Sequence, residues 1–170
     1  MKVLVFVKAT PLSEKGILRR DEQMARMFAE MGKFNEQLAA AGIMQEADGL
    51  KPSSFGKRIK FSGKDVAVID GPFAETEELV AGYWVWNVKS MDEAVEWAKR
   101  CPNPMPGEQG VLEIRPTNTL DDFAELLTDE QRERFERGSR KMERQKKVRG
   151  KAKAKRKPTR GKARRQRAPR

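Results

Sequence analysis

The residues best suited to chemistry lie in one short stretch, VIDGPFAETEE, at positions 68–78. An apolar run ends there at an Asp-Gly-Pro corner, and glutamates surround a single threonine behind it. Neighbouring carboxylates shift each other's pKa and share protons, so Asp70 and Glu75 are candidate catalytic residues and Thr76 a candidate ligand contact. The structural alternative is a plain turn, in which glycine and proline end a strand and Asp70 accepts backbone N–H bonds. Both interpretations stay open.

Three further side chains are candidate ligand contacts. Tyr83 and Trp84 belong to the aromatic run GYWVW, and Arg115 lies at the end of the last predicted strand. An aromatic-lined interior suits a flat organic ligand, and an arginine suits an anionic one. The same side chains also fit a core, a dimer interface or a surface ion pair. The ligand-binding set predicted from the sequence is Asp70, Thr76, Tyr83, Trp84 and Arg115.

The composition excludes several classes of site. The 170 residues include no histidine and one cysteine, so histidine-dependent triads and histidine-ligated zinc or haem are impossible. No metal and no cofactor is predicted. Cys101 precedes a proline at a helix end and is expected to be an inert thiol, which fits a reducing compartment. No apolar stretch approaches the ~20 residues of a membrane span, so we expect a cytoplasmic protein without membrane contact, associated with the nucleoid or RNA if it binds nucleic acid.

The elements that position these residues follow from hydrophobic spacing. Apolar runs predict strands, and a 3.6-residue period predicts helices. The predicted elements are a strand at 2–7, a helix at 21–41, a short strand at 43–50, a hairpin of KRIKF and DVAVI, a strand at 79–88, a helix opened by Ser90 and a strand at 111–115. This β-α-β-(β)-β-α-β order is a ferredoxin-like α+β pattern.

Two helices cover only one face of such a sheet, yet its strands are apolar on both. Within 79–88, one alternating set includes Tyr83 and Val85, and the other includes Trp84 and Trp86. Because exposed aromatic patches are unusual on monomers, a second copy of the sheet is the simplest cover, which predicts a face-to-face homodimer. The alternative is that the chain beyond Arg115 folds back over this face.

Several strings resemble the YCII-related, or DGPF-domain, family. They are DGPFAETEE at 70–78, GYW at 82–84, EAVEWAKRCP at 93–102, EIRP at 113–116 and, for the first helix and its loop, GKFNEQLAAAGIMQEADGLKPSS at 32–54. The resemblance covers about residues 1–127 and implies a ferredoxin-like fold that pairs into a dimeric α/β barrel. It implies two kinds of function. Some members are encoded with extracytoplasmic-function sigma factors, which suggests transcription regulation, and others look like dimeric-barrel isomerases or lyases.

The resemblance also bears on the active site. In YCII-like relatives a His-Asp pair is the proposed active site, and Asp70 stands at the signature aspartate. Some members have a histidine in the loop before the last strand, but that loop reads NPMPGEQG in this chain. A His-Asp acid–base pair is therefore ruled out.

The C-terminal region carries the excess positive charge. Residues 128–170 contain 20 Lys or Arg against 5 Asp or Glu, whereas residues 1–127 contain 16 against 20. Three segments are predicted: a family domain at 1–118, a charged helical extension at 119–143, and a disordered Lys/Arg-rich tail at 144–170. The tail has no aromatic residue for stacking, so it is predicted to bind DNA or RNA without sequence preference. Its predicted contacts are Lys146, Lys147, Arg149, Lys151, Lys153, Lys155, Arg156, Lys157, Arg160, Lys162, Arg164, Arg165 and Arg167.

Two functions therefore remain in competition at this point. The first is a dimeric barrel whose basic tail binds nucleic acid. The alternative is a small-molecule-binding protein or enzyme with Asp70 at the mouth of the barrel.

Overall fold

The computed structural model describes residues 1–16, 20–74 and 78–155. The chain divides into two compact units, Met1–Thr117 and Asn118–Arg170. The first unit contains the elements β1 (Lys2–Lys8), α1 (Pro11–Glu14), α2 (Glu22–Ala40), β2 (Met44–Gly49), β3 (Lys57–Ser62), β4 (Asp65–Asp70), β5 (Val80–Asn87), α3 (Met91–Ala98) and β6 (Leu112–Pro116).

Four of these strands form one antiparallel sheet in the order β2-β5-β1-β6. If the hairpin β3–β4 is set aside, the remaining strands follow the order 2-3-1-4, which is the ferredoxin-like arrangement expected from the sequence. The hairpin forms a separate two-stranded sheet inserted between β2 and β5. The α+β, ferredoxin-like prediction is confirmed.

The core lies between the sheet and the two longer helices of this unit. Every second residue of β1 is buried, as are Trp84 and Trp86 of β5 and Phe34 of α2. The three aromatic rings pack with centroids 6.1 to 6.3 Å apart in tilted or edge-on contacts, which are favourable aromatic geometries. Buried and half-buried positions alternate along β5, because successive side chains of a strand point to opposite faces of the sheet.

The predicted helix boundaries rest on specific backbone contacts. Gly42 has a φ of +72° after α2, and the N–H of Ile43 donates to the carbonyl of Leu38 at 3.0 Å. This is the glycine-dependent helix stop expected from the sequence. At the start of α3 the Ser90 hydroxyl accepts from the N–H of Glu93 at 3.2 Å, so the predicted N-cap is confirmed.

Two apolar surfaces of the first unit lie outside this core. On the sheet face opposite the helices, Leu4, Phe6, Tyr83 and Val85 are only half-buried. The hairpin β3–β4 has one apolar face with four exposed side chains, those of Ile59, Phe61, Val66 and Val68. The homodimer proposed to cover the sheet face stays a prediction.

The second unit begins with a turn and continues as a helix. The stretch TLDDFAELL, which has the spacing of a short amphipathic helix, forms only a 3₁₀ turn at Asp121–Phe123. Helix α4 spans Asp129–Lys155. It continues past residue 143, the predicted end of the charged helical extension. Lys, Arg and Ala are good helix formers, and this accounts for helical rather than disordered backbone at 144–155. Residues 156–170 lie outside the described ranges.

Candidate functional site

The Asp-Gly-Pro corner lies at the end of the hairpin, not in a cleft. Asp70 is the last residue of β4, and its carboxylate forms an ion pair with Lys57, its partner across the hairpin. The Asp70 side chain is 74% exposed. The structure therefore places Asp70 in a surface ion pair, whereas its partner in the predicted catalytic pair, Glu75, lies outside the described residues, as does Thr76. Their catalytic and binding roles stay predictions.

Gly71 has a packing reason to be glycine. The N–H of Gly71 donates to the Gly56 carbonyl at 3.2 Å, and the N–H of Phe73 donates to the Ser53 hydroxyl at 3.1 Å. These bonds hold the corner against the 3₁₀ turn at Ser53–Phe55. A Cβ on Gly71 would lie 1.9 Å from the Ser53 carbonyl oxygen. The corner is thus fixed by a close approach of two backbone segments.

An apolar concavity in the first unit lies elsewhere, between α2 and the sheet. It encloses about 540 Å³. One wall is a face of the N-terminal half of α2, where Met24, Met27, Phe28 and Met31 follow one another at helical spacing. In the C-terminal half, Phe34 and Leu38 fill the corresponding space and are buried. The cavity therefore lies beside the N-terminal half of α2, which has no fully buried residue.

Part of the opposite wall is made of small side chains. Val7 of β1, Ala47 and Gly49 of β2, and Gly82 of β5 line it. At Gly82 an added Cβ would lie 3.1 Å from the Asp48 carbonyl oxygen, so β2 and β5 approach closely there. The volume exists because small sheet residues face flexible methionines, which fill space less completely than branched side chains do.

A small number of polar groups converge on this apolar space. The Trp84 indole N–H donates to Asn35 Oδ1 at 2.9 Å, and Asn35 also lines the cavity. On the side of the loop that precedes β6, the buried Thr10 hydroxyl donates to Glu108 Oε2 at 2.5 Å. The N–H of Leu12 donates to Glu108 Oε1 at 3.4 Å. Apolar walls with a few placed polar groups are typical of small-molecule sites.

The sequence-predicted ligand contacts divide between the cavity and the surface. Tyr83 and Trp84 both contribute to the cavity lining, and their role in binding stays a prediction. Arg115 lies on β6 and is close to Glu113, with Nε 3.9 Å from Oε1, and it does not line the cavity. Asp70 does not line it either.

Two groups have ionisation equilibria shifted by their surroundings. The Tyr83 hydroxyl donates to Glu46 Oε1 at 3.0 Å, and this bond raises the pKa of the phenol, with a smaller contribution from desolvation. Burial raises the pKa of the Cys101 thiol to about 11. A protonated, partly buried thiol is a poor nucleophile, in agreement with the inert cysteine expected from the sequence.

Sequence reasoning missed two contributors to the cavity. The spacing of Met24, Met27 and Met31 predicts an apolar helix face, but spacing alone does not reveal whether the opposite wall is bulky or small. Glu108 lies in NPMPGEQG, a loop without periodicity. The sequence signal that could have drawn attention to this loop is the family resemblance, because some family members have a histidine in the corresponding loop.

The basic residues predicted to contact nucleic acid divide between helix and undescribed chain. The first group lies on α4 and consists of Lys146, Lys147, Arg149, Lys151, Lys153 and Lys155. The second group lies outside the described residues and consists of Arg156, Lys157, Arg160, Lys162, Arg164, Arg165 and Arg167. Their role in binding stays a prediction.

Searches for a metal site and a membrane span give negative results for the described ranges. Within 1–16, 20–74 and 78–155, no group of three or more His, Cys, Asp or Glu side chains is arranged to hold a metal ion. No helix in the same ranges is long and apolar enough to cross a bilayer.

Comparisons with known proteins identify related chains. A family model described as the YCII-related domain matches residues 1–118. An uncharacterised protein of Rhizobium meliloti (strain 1021) is 30% identical over 95 residues, which are 56% of this chain and 76% of that protein. Among solved structures, the 5-chloro-2-hydroxyhydroquinone dehydrochlorinase of Burkholderia phenoliruptrix AC1100, complexed with 2,5-dihydroxybenzoquinone, is 14% identical. That match covers 71% of this chain and 98% of the dehydrochlorinase, with a TM-score of 0.33.

Proposed function

The chain belongs to the YCII-related domain family, and on this premise we propose that it binds a small, largely apolar organic molecule in the cavity between α2 and the sheet. The observation that carries the proposal is the cavity itself. Its volume of about 540 Å³ lies within the roughly 300–1,000 Å³ of small-molecule sites. Its lining of methionines, Phe28 and Trp84 suits a flat ring system.

The packing of the rest of the unit argues against a mere packing defect. Phe34 and Leu38 of the same helix are almost fully buried, so α2 is well packed where it has partners. Phe28 on the α2 wall is 59% exposed, and apolar area removed from water contributes about 25 cal/mol per Å². An occupant would bury such surface and fill the space between α2 and the sheet.

The test fills the cavity from its small-residue wall. Ala47→Leu adds bulk on the sheet side, and Ala39→Leu, at an exposed position of α2, is the matched control. With 1-ethylnaphthalene as the probe, isothermal titration calorimetry should show binding to the wild type and to Ala39→Leu. We expect affinity at least about tenfold lower for Ala47→Leu, the loss that accompanies about 1.4 kcal/mol. Equal binding by all three proteins would contradict the proposal.

A second candidate function is nucleic-acid binding through residues 144–170. The observation that favours it is a run of 15 Lys or Arg without one Asp or Glu, beyond what a solvated helix face requires. Binding would be dominated by phosphate contacts and would not depend on sequence. If the chain is also a homodimer, two tails would act together and increase the avidity. A cytoplasmic location, consistent with the lone protonated thiol, is part of the same proposal.

The test of this second function is a salt titration. Full-length chain and a variant with all Lys and Arg of 144–170 replaced by Gln would be compared on a 20-base-pair duplex by fluorescence anisotropy. The wild type should lose affinity with salt at a slope of about 0.9 per phosphate neutralised, and the variant should lose most of that slope. An unchanged slope would remove the tail from the binding surface.

A further inference from the structure

We infer that Glu108 is the polar anchor of the cavity and that the preferred occupant is an apolar molecule with a hydrogen-bond donor, above all a protonated amine; this inference rests on the function proposed above. It specifies the chemical class of the ligand. Three observations support it: the way Glu108 is held, its remaining acceptor capacity, and the charge of the cavity lining.

Glu108 is held from two sides. Its carboxylate accepts from the Thr10 hydroxyl at 2.5 Å and, more weakly, from the N–H of Leu12 at 3.4 Å. Its own loop is closed by internal bonds, since Asn103 Nδ2 donates to the Glu108 carbonyl at 3.0 Å and the N–H of Glu108 donates to the Met105 carbonyl at 3.0 Å. A side chain fixed in this way can bind a partner without a large loss of conformational entropy.

The carboxylate keeps acceptor capacity for a ligand. An ionised carboxylate offers about four lone-pair positions, and the bonds from Thr10 and Leu12 use two of them. Glu108 lines the cavity. The lone-pair positions that Thr10 and Leu12 leave unused are therefore on a carboxylate at the cavity wall. A bond between this group and a cationic donor is charge-assisted, and such bonds are roughly twice as strong as neutral ones.

The charge of the described lining residues favours a cation over an anion. Asp48 and Glu108 are the acidic residues among them, and Lys51 is the basic one. The Lys51 ammonium lies 5.1 Å from the centre of the Phe55 ring, in a cation–π contact that holds it near that ring. Asp48 is paired with Tyr83, so its side chain lies on the other face of the sheet from Trp84. An anionic ligand would therefore meet the Glu108 carboxylate, whereas an amine would meet a prepared acceptor.

A purely structural role for Glu108 is the competing explanation. In that case the carboxylate only ties the loop 103–108 to the start of α1, and replacing it would lower the melting temperature without changing ligand preference. The experiment must therefore read out preference between ligands of equal size, and stability must be measured separately.

Three naphthalene probes of similar size provide that readout at pH 7: 1-naphthylmethylamine, a cation; 1-ethylnaphthalene, which is neutral; and 1-naphthylacetate, an anion. Calorimetric titration of the full-length wild type should give the affinity order cation, neutral, anion, with the cation about tenfold above the neutral probe. Glu108→Gln, which keeps an oxygen for Thr10, should lose this tenfold preference and bind the neutral probe within twofold of wild type. Glu30→Gln, at an exposed position of α2 that does not line the cavity, is the control and should keep the preference.

Each outcome decides between the explanations. If wild type binds the amine no better than the neutral probe, or if Glu108→Gln keeps the preference, the anchor is refuted, while neutral-probe binding that Ala47→Leu abolishes still supports the cavity. If no probe binds the wild type, both proposals fail. Should Glu108→Gln be too unstable to titrate, the wild-type ranking of the three probes decides the matter alone.

Discussion

The corner at 70–72 makes a sharp stability prediction, because substitutions of its first two residues should differ greatly in their effect on the unfolding free energy. Gly71→Ala places a Cβ 1.9 Å from the Ser53 carbonyl oxygen and 2.7 Å from the carbonyl carbon. Real contacts of this kind rarely fall below about 3.4 Å, so one backbone segment must move by about 1.5 Å. Overpacking of this degree costs about 1–3 kcal/mol of unfolding free energy.

The neighbouring aspartate should contribute little. Asp70 and Lys57 form an ion pair in which both side chains are mostly exposed, and exposed pairs contribute less than about 1 kcal/mol. Asp70→Asn should therefore shift the unfolding free energy by less than this amount. Gly32→Ala serves as the control, because its Cβ would meet nothing within 4 Å and alanine is about 1 kcal/mol better than glycine inside a helix.

The assay is urea unfolding of the full chain followed by tryptophan fluorescence. All 3 tryptophans lie in the first unit, at 84, 86 and 97, so the signal reports on the unit that contains the corner. The expected order of stability is Gly32→Ala, wild type, Asp70→Asn, Gly71→Ala. A Gly71→Ala variant within about 0.5 kcal/mol of wild type, or an Asp70→Asn variant that is equally destabilised, would refute the reasoning, and the second result would favour a buried role for Asp70.

Three further predictions follow from individual contacts. Trp84→Phe removes a hydrogen bond to Asn35, whereas the indole N–H of Trp86 is buried and has no partner among the described residues; Trp86→Phe should therefore cost about 1 kcal/mol less unfolding free energy than Trp84→Phe. The Cys101 pKa of about 11 lies above the reference value of 9.0, so its contribution to stability is present below pH 9 and is lost as pH rises toward 11. At pH 8 the thiol should react with a disulfide reagent at an appreciable rate only after unfolding. If a second copy covers the open sheet face, light scattering should show a dimer, and Phe6→Lys should shift it toward monomer; a wild-type monomer at micromolar concentration would exclude this cover.

The sequence predicted the elements of the first unit because their signals are local. The alternation around Trp84 and Trp86, the glycine stop at Gly42 and the cap at Ser90 each act within a few residues of the boundary they define. The inserted hairpin was also visible, and its register pairs Lys57 with Asp70, which determines the partner of the aspartate. Local sequence patterns did not predict the surroundings of Asp70, because the exposure of its side chain depends on where the hairpin lies in the fold.

The cavity depends on contacts that are distant in sequence. Met27 and Gly82 are separated by more than fifty positions, and only the sheet order places small β2 and β5 residues opposite α2. Glu108 and Thr10 are 98 residues apart, and neither stands out by itself. The extent of α4 was missed for a different reason: low hydrophobicity argued for disorder, although Lys, Arg and Ala have high helix propensity.

The thioether wall of α2 has a chemical consequence of its own. Met24, Met27 and Met31 carry sulfur atoms that peroxide can convert to sulfoxides, which are polar and which dedicated reductases restore. One added oxygen per methionine would turn this apolar wall of the cavity into one that accepts hydrogen bonds, without any change to the backbone. Oxidation would then change the polarity of the proposed binding site, and reduction would reverse the change.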